Sequence, residues 1–144
     1  MKKIGFLILV MLCFLSTQCD EDALSDLEVF CDASVVVDAS VFDDLVSDDF
    51  QFVDVSLIGD CLSIEIGASG CDAQTWAFTL VDSGAIAESL PEQRNLKLKL
   101  ENTKVCTAFF RTNVSFDISA LQINGSNKII LNLEGWDNSI TYTY

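Results

Sequence analysis

The chain contains no histidine among its 144 residues. That absence removes the Ser-His-Asp and Cys-His nucleophile arrangements and the imidazole ligands of most catalytic zinc sites. Basic residues are scarce as well: eight Lys and Arg stand against 22 Asp and Glu, a formal net charge of -14, and none lies between Lys3 and Arg94. Phosphate binding requires clustered cations, so this composition argues against nucleic acid and anionic lipid head groups as partners. Gly-rich phosphate loops, H-E-x-x-H and C-x-x-C are all missing. Proline occurs once, at Pro91. The longest apolar run, Ile4 to Leu15, falls well short of the ~20 residues that a membrane-spanning helix needs.

What is present begins at the N-terminus. Lys2 and Lys3 precede the apolar run, and Ser16, Thr17 and Gln18 lead into Cys19 and the acids Asp20, Glu21 and Asp22. A positive segment, a short apolar segment and a processing site make residues 1–18 an export signal. Gln18 suits ordinary signal peptidase badly, whereas a cysteine at the cut suits acylation. Cys19 is therefore read as a lipidated residue that anchors the chain to the membrane, followed by an acidic tether over residues 19–30 and one domain over 31–144. Simple secretion and a retained anchor are the alternatives. Processing leaves six basic residues against the 22 acids, a formal charge of -16, and twelve of those acids lie between Asp20 and Asp54. The signal resembles the relaxed lipoprotein signals of Bacteroidota, in which an acidic run after the cysteine marks surface export. That resemblance implies the outer membrane and the cell surface, with a periplasmic or secreted location as the alternative.

Four further cysteines, Cys31, Cys61, Cys71 and Cys106, follow Cys19. An even number in an exported chain points to two disulfides, and spacing leaves three connectivities open. The lack of histidine and of a C-x-x-C pair argues against zinc.

Period two dominates the rest. Leu62, Ile64 and Ile66, then Leu96, Leu98 and Leu100, then Val114, Phe116 and Ile118, then Ile129, Leu131 and Leu133 all alternate with polar residues. Strands buried on one face produce this pattern. Val53-Val55-Leu57, Trp76-Phe78-Leu80 and Ile140-Tyr142-Tyr144 add three more, with Val35 to Val37 and Val105 to Phe110 as further candidates. Turn signals separate them at 67–70, 82–84, 101–103, 124–125 and 135–138. Helix is confined to one turn over Val41 to Val46 and a short piece within Ala85 to Glu92. The spacing predicts an all-β protein, an antiparallel β-sandwich of about seven to nine strands with Ig-like or Greek-key connections.

Chemistry has few candidates. Glu65, Glu88, Glu92 and Glu134 could supply a carboxylate pair, but a small domain seldom builds the cleft that glycosidase chemistry requires. Asp43, Asp44, Asp48 and Asp49, with Asp54 beyond, could hold a weak calcium ion, although the spacing is not that of an EF-hand and a solvated acidic loop is the plainer reading. Asp82 to Arg94 reads as a long connection between strands that gathers Glu88, Ser89, Pro91, Gln93 and Arg94, a candidate interaction loop or a structural crossover. Trp76 falls on an apolar face and reads as core. Trp136, beside Gly135, is either a binding aromatic or a cover over the sandwich end.

From Cys61 onward the chain resembles an uncharacterised family of exported Bacteroidota lipoproteins. Asp60-Cys61-Leu62, Ser69-Gly70-Cys71, Glu88 to Gln93, Val105-Cys106, Ser115 to Ile118, Glu134 to Asp137 and the tyrosine-rich end carry the likeness. The resemblance implies no catalytic or ligand residues. It does imply that Cys71 pairs with Cys106, which leaves Cys31 with Cys61. Wider relatives often have a histidine shortly after the Ser-Gly-Cys turn, and none stands here.

The resulting expectation is a surface-exposed, lipid-anchored, non-catalytic binding or accessory module without a cofactor. Its partner would be an envelope protein, an extracellular polymer or a host surface. A small periplasmic inhibitor or chaperone-like factor docking through the Pro91 loop is the second reading, and a carbohydrate-active enzyme the third.

Overall fold

Nine strands build this chain in the computed structural model, which describes residues 30–104 and 106–144. Residues 1–29, on which the expected export signal, the expected lipidation at Cys19 and most of the expected tether fall, lie outside the described residues. In chain order the strands are β1 (Ala33–Ser34), β2 (Val36–Val37), β3 (Gln51–Ile58), β4 (Cys61–Ser69), β5 (Ala77–Ala87), β6 (Glu92–Glu101), β7 (Phe109–Asp117), β8 (Lys128–Leu133) and β9 (Ile140–Thr143). They form a four-stranded sheet, β1-β7-β4-β3, and a five-stranded sheet, β2-β5-β6-β8-β9. The fold is an open all-β sandwich.

The inward residues are those that the alternation singles out. Leu62, Ile64 and Ile66 of β4, Leu96, Leu98 and Leu100 of β6, Val114 and Phe116 of β7 and the β8 trio Ile129, Leu131 and Leu133 form one buried cluster with Tyr142 and Trp76. β3 and the end of β4 depart from the expected pattern. In β3 the register shifts between Phe52 and Asp54, so Val53 is an extra residue, and Phe52, Val55 and Leu57 face the core in place of a plain Val53-Val55-Leu57 series. Gly67 is likewise not in a turn: β4 runs on to Ser69, and the Phe109 ring packs where a Cβ on Gly67 would stand.

The sheets are mixed, which corrects the purely antiparallel expectation. β6 and β8 run parallel because β7, between them in sequence, lies in the opposite sheet and returns the chain in the same direction. The first strand splits at Val35. Its N–H donates to the Asp117 carbonyl at 2.9 Å while its side chain enters the core, so Ala33–Ser34 pairs parallel with β7 and Val36–Val37 with β5. Asp32 fastens this strand: its carboxylate accepts from the Ser115 N–H at 2.8 Å and from the Ser115 hydroxyl at 2.7 Å. Those bonds hold its carboxyl below the usual carboxylate range.

Helix α1 (Ala39–Asp43) begins earlier than the Val41 to Val46 expectation, because Asp38 caps it by accepting from the N–H groups of Ser40 and Val41. Disulfides join Cys31 to Cys61 and Cys71 to Cys106, with Cα separations of 5.7 and 4.8 Å. The first ties the N-terminal strand to the start of β4. The second ties the end of β4 to the segment before β7.

Candidate functional site at the β5–β6 tip

The region read as a loop from Asp82 to Arg94 is mostly strand. β5 continues to Ala87 and β6 starts at Glu92, leaving only Glu88 to Pro91 as a connection. The physical reason lies at Asp82. On β5 the inward positions are Phe78, Leu80 and Asp82, and on β6 they are Arg94, Leu96, Leu98 and Leu100, so the alternation turns an acid and a base into the sandwich interior. Arg94 Nη2 donates to Asp82 Oδ1 at 2.7 Å and Nε donates to Oδ2 at 3.1 Å, a bidentate pair with both side chains buried. Asp82 Oδ1 also accepts from the Gly84 N–H at 2.7 Å, and Gly84 adopts a φ of +72°. Asp82-Ser-Gly84 is therefore a bulge in β5, where the register shifts between Asp82 and Ile86, and not a turn. Arg94 presents nothing to a partner.

The tip itself is braced by a directional ladder of side chains. Ser139 Oγ donates to Asn132 Oδ1 at 3.2 Å, Asn132 Nδ2 to Gln93 Oε1 at 3.0 Å, Gln93 Nε2 to Ser89 Oγ at 3.1 Å, and Ser89 Oγ to the Pro91 carbonyl at 2.6 Å. The Ser89 N–H closes the turn on the Ala87 carbonyl at 2.9 Å. Ser89 and Gln93 thus spend their polar groups inside the protein. The residue left pointing outward is one the sequence reading passed over: Leu90 is 98% exposed, and Ile86 beside the tip is 45% exposed. Glu88 is exposed next to them. Sequence carries no signal for this, since nothing local distinguishes a leucine at the crown of a rigid turn from one that packs.

The other candidates are dispersed. Glu92 Oε2 accepts from Ser126 Oγ at 3.1 Å, and Glu134 faces Lys97 at 3.7 Å. Glu92 pairs with Ile129 at the start of β8 and Glu134 follows its end, about 16 Å away at ~3.3 Å per residue and beyond the ~10 Å limit of paired glycosidase carboxyls. Glu65 lies on the other sheet. Asp43, Asp44, Asp48 and Asp49 do not converge: Asp48 Oδ2 accepts from the Asn102 N–H at 2.6 Å, and no group of three or more metal-ligating side chains forms among the described residues. Trp76 is buried with its ring against Gly70. Trp136 is half-buried and packs edge-on against Phe52, centroids 6.0 Å apart, so it covers the sandwich beside β3 while staying partly exposed.

No protein-family model matches this sequence, and no curated protein does. Solved structures from Bacteroides and Parabacteroides share the fold. A DUF1344 protein of unknown function from Bacteroides vulgatus aligns at 17% identity and a TM-score of 0.51. A protein described as toxin-related, from Parabacteroides distasonis, aligns at 14% and 0.52, and a NigD-like immunity protein from Bacteroides caccae at 14% and 0.55. The alignments take in 76–78% of this chain but only 56–58% of those proteins, so the chain spans little more than half of their length. At these identities the likeness is one of fold, and the chain is similar in fold to proteins of Bacteroides and Parabacteroides that are described as immunity-like, toxin-related or of unknown function.

Proposed function

We propose that this chain is a lipid-anchored accessory module of the cell envelope that acts by binding a partner protein, in the manner of an immunity protein, and not by catalysis. One observation carries the reading: a fully exposed leucine stands on a turn that the protein has fixed in advance. Exposed Leu90 costs solvation in the free protein and gains it back when a partner's apolar pocket takes the side chain. The ladder from Ser139 to Pro91 means that little loop entropy is lost on docking. Glu88 next to the tip favours a pocket with a basic rim. The fold shared with a NigD-like immunity protein supports the same class. The inhibitor reading uses the same tip and differs in where the partner resides.

Location is tested by protease treatment of intact cells, with wild type compared with Cys19→Ser. The proposal expects a membrane-bound wild type that is cleaved from outside, and a shed variant. A chain protected until the envelope is opened moves the partner to the periplasm and favours the inhibitor reading. On either side of the membrane, Glu65→Gln and Glu92→Gln introduced singly leave function in place. Loss of function from one of them with Leu90 intact would mark an enzyme.

A further inference from the structure

A second site opens further along β6, where the five-stranded sheet has a gap. Past Leu96, β8 ends, and the Glu134 N–H donates to the Leu96 carbonyl at 2.9 Å. Two positions on, the segment before β3 takes over: the Asp48 N–H donates to the Leu100 carbonyl at 3.0 Å and the Leu100 N–H donates to Ser47 Oγ at 2.9 Å. Alternate residues of a strand turn their main-chain groups to the same edge, so Leu98 faces this edge with its N–H and C=O between the two clamps. Neither group has a hydrogen-bond partner among the described residues.

Leu98 forms part of the floor of a groove of about 770 Å³. One wall is aromatic. Phe50 and Phe52 meet edge to face with centroids 5.1 Å apart, and Trp136 continues the row from Phe52. Gly135, at a φ of +84°, presses the turn that carries Trp136 against the Phe52 ring. Glu134 and Asp137 stand on the rim with Lys97.

We infer that this groove binds a peptide segment of a partner protein through an Asn or Gln side chain of that segment. The gap is one residue wide, so a running strand cannot add to β6 there. A primary carboxamide presents one donor and one acceptor side by side, which matches the N–H and C=O of a single extended residue. A trans peptide group points its N–H and C=O in opposite directions, a carboxylate lacks the donor, and an ammonium lacks the acceptor. The acidic rim also disfavours an anionic side chain. Apolar neighbours in the segment would pack on Phe50, Phe52 and Trp136. This site lies apart from the β5–β6 tip and does not depend on it.

Amide hydrogen exchange of the full-length domain, followed by NMR, tests the gap first: Leu98 should exchange faster than Leu96 and Leu100. A capped leucine–glutamine–leucine tripeptide should then shift the Leu98 amide and the Trp136 indole resonances and slow Leu98 exchange, while the glutamate counterpart should do neither. Phe50→Leu, which keeps the site apolar, should weaken the glutamine peptide several-fold with the remaining spectrum unchanged. Slow exchange at Leu98 in the free protein, equal effects of the two peptides, or no effect of either would overturn the inference.

Discussion

Asp82 and Arg94 are the residues whose placement decides most about the candidate site. They stand on inward positions of adjacent strands, form a bidentate pair, and set the bulge from which the tip of the hairpin projects. Arg94 Nη1 also donates to the Leu121 carbonyl at 3.4 Å, so the pair reaches a third segment. Removing one partner strands the other in the core. Asp82→Ala should lower stability in urea unfolding by about 3–5 kcal/mol, whereas the double change Asp82→Leu with Arg94→Met should recover most of the loss. A single-variant loss within the range of a surface substitution would show that the pair does not hold the bulge. Tyr142 offers a pH test at the same scale. Burial, and its hydrogen bond to Asp60 Oδ1 at 2.6 Å, raise its phenol well above the ordinary value, while Gln122 donating to the hydroxyl opposes the shift. A raised folded value means that the stabilisation is complete below the unfolded value of ~10 and fades as pH rises beyond it. Absorbance titration should show Tyr142 ionising well above the ordinary tyrosine value, with unfolding by denaturant becoming easier above about pH 10. Ionisation of Tyr142 at the ordinary value would contradict this.

Strands, the bulges in them and the short helix α1 differ in how legible they are. Strands β4, β6, β7 and β8 are readable because each buries one face and leaves the other wet, which imprints period two on the sequence. The bulges at Val53 and at Asp82 to Ile86 are not. At Val53 one extra residue reverses the phase, so an apolar residue falls on the wrong parity; between Asp82 and Ile86 β5 advances four residues against two of β6, and the sequence shows only turn composition there. Asp82-Ser-Gly84 has turn composition, and what makes it strand is a guanidinium twelve positions away, which local patterning cannot supply. Leu90 is hidden for the opposite reason, since its exposure comes from bonds made elsewhere. Those bonds give an element-scale prediction. Asn132→Ala interrupts the ladder between Gln93 and Ser139 without touching Leu90, and a surface change of this kind should alter stability by less than ~0.5 kcal/mol. Faster backbone motion at Ser89 and Leu90 in NMR relaxation, together with weaker partner binding, is the expected outcome. An unchanged tip would mean that the ladder is decoration.

The molecule as a whole is a two-layer sandwich with a disulfide at each end of β4: one holds the entry strand and the other holds the approach to β7. Its class was legible because turn signals and alternating strands recur along the entire sequence. Its mixed topology was not, because the direction in which β8 returns beside β6 depends on β7 crossing to the other sheet. The fold it shares with an immunity-like protein leaves function to the surface. There the exposed tip and the aromatic groove lie at separate places along β6, both on a strongly acidic chain. The proposed role as a protein-binding envelope module rests on the tip. A photo-reactive amino acid placed at position 90 in living cells, compared with the same residue at exposed Gln74 at the other end of β5, tests it most directly. The account predicts a discrete cross-link to one partner protein from position 90 and none from position 74. No product from either position, or the same products from both, would contradict it.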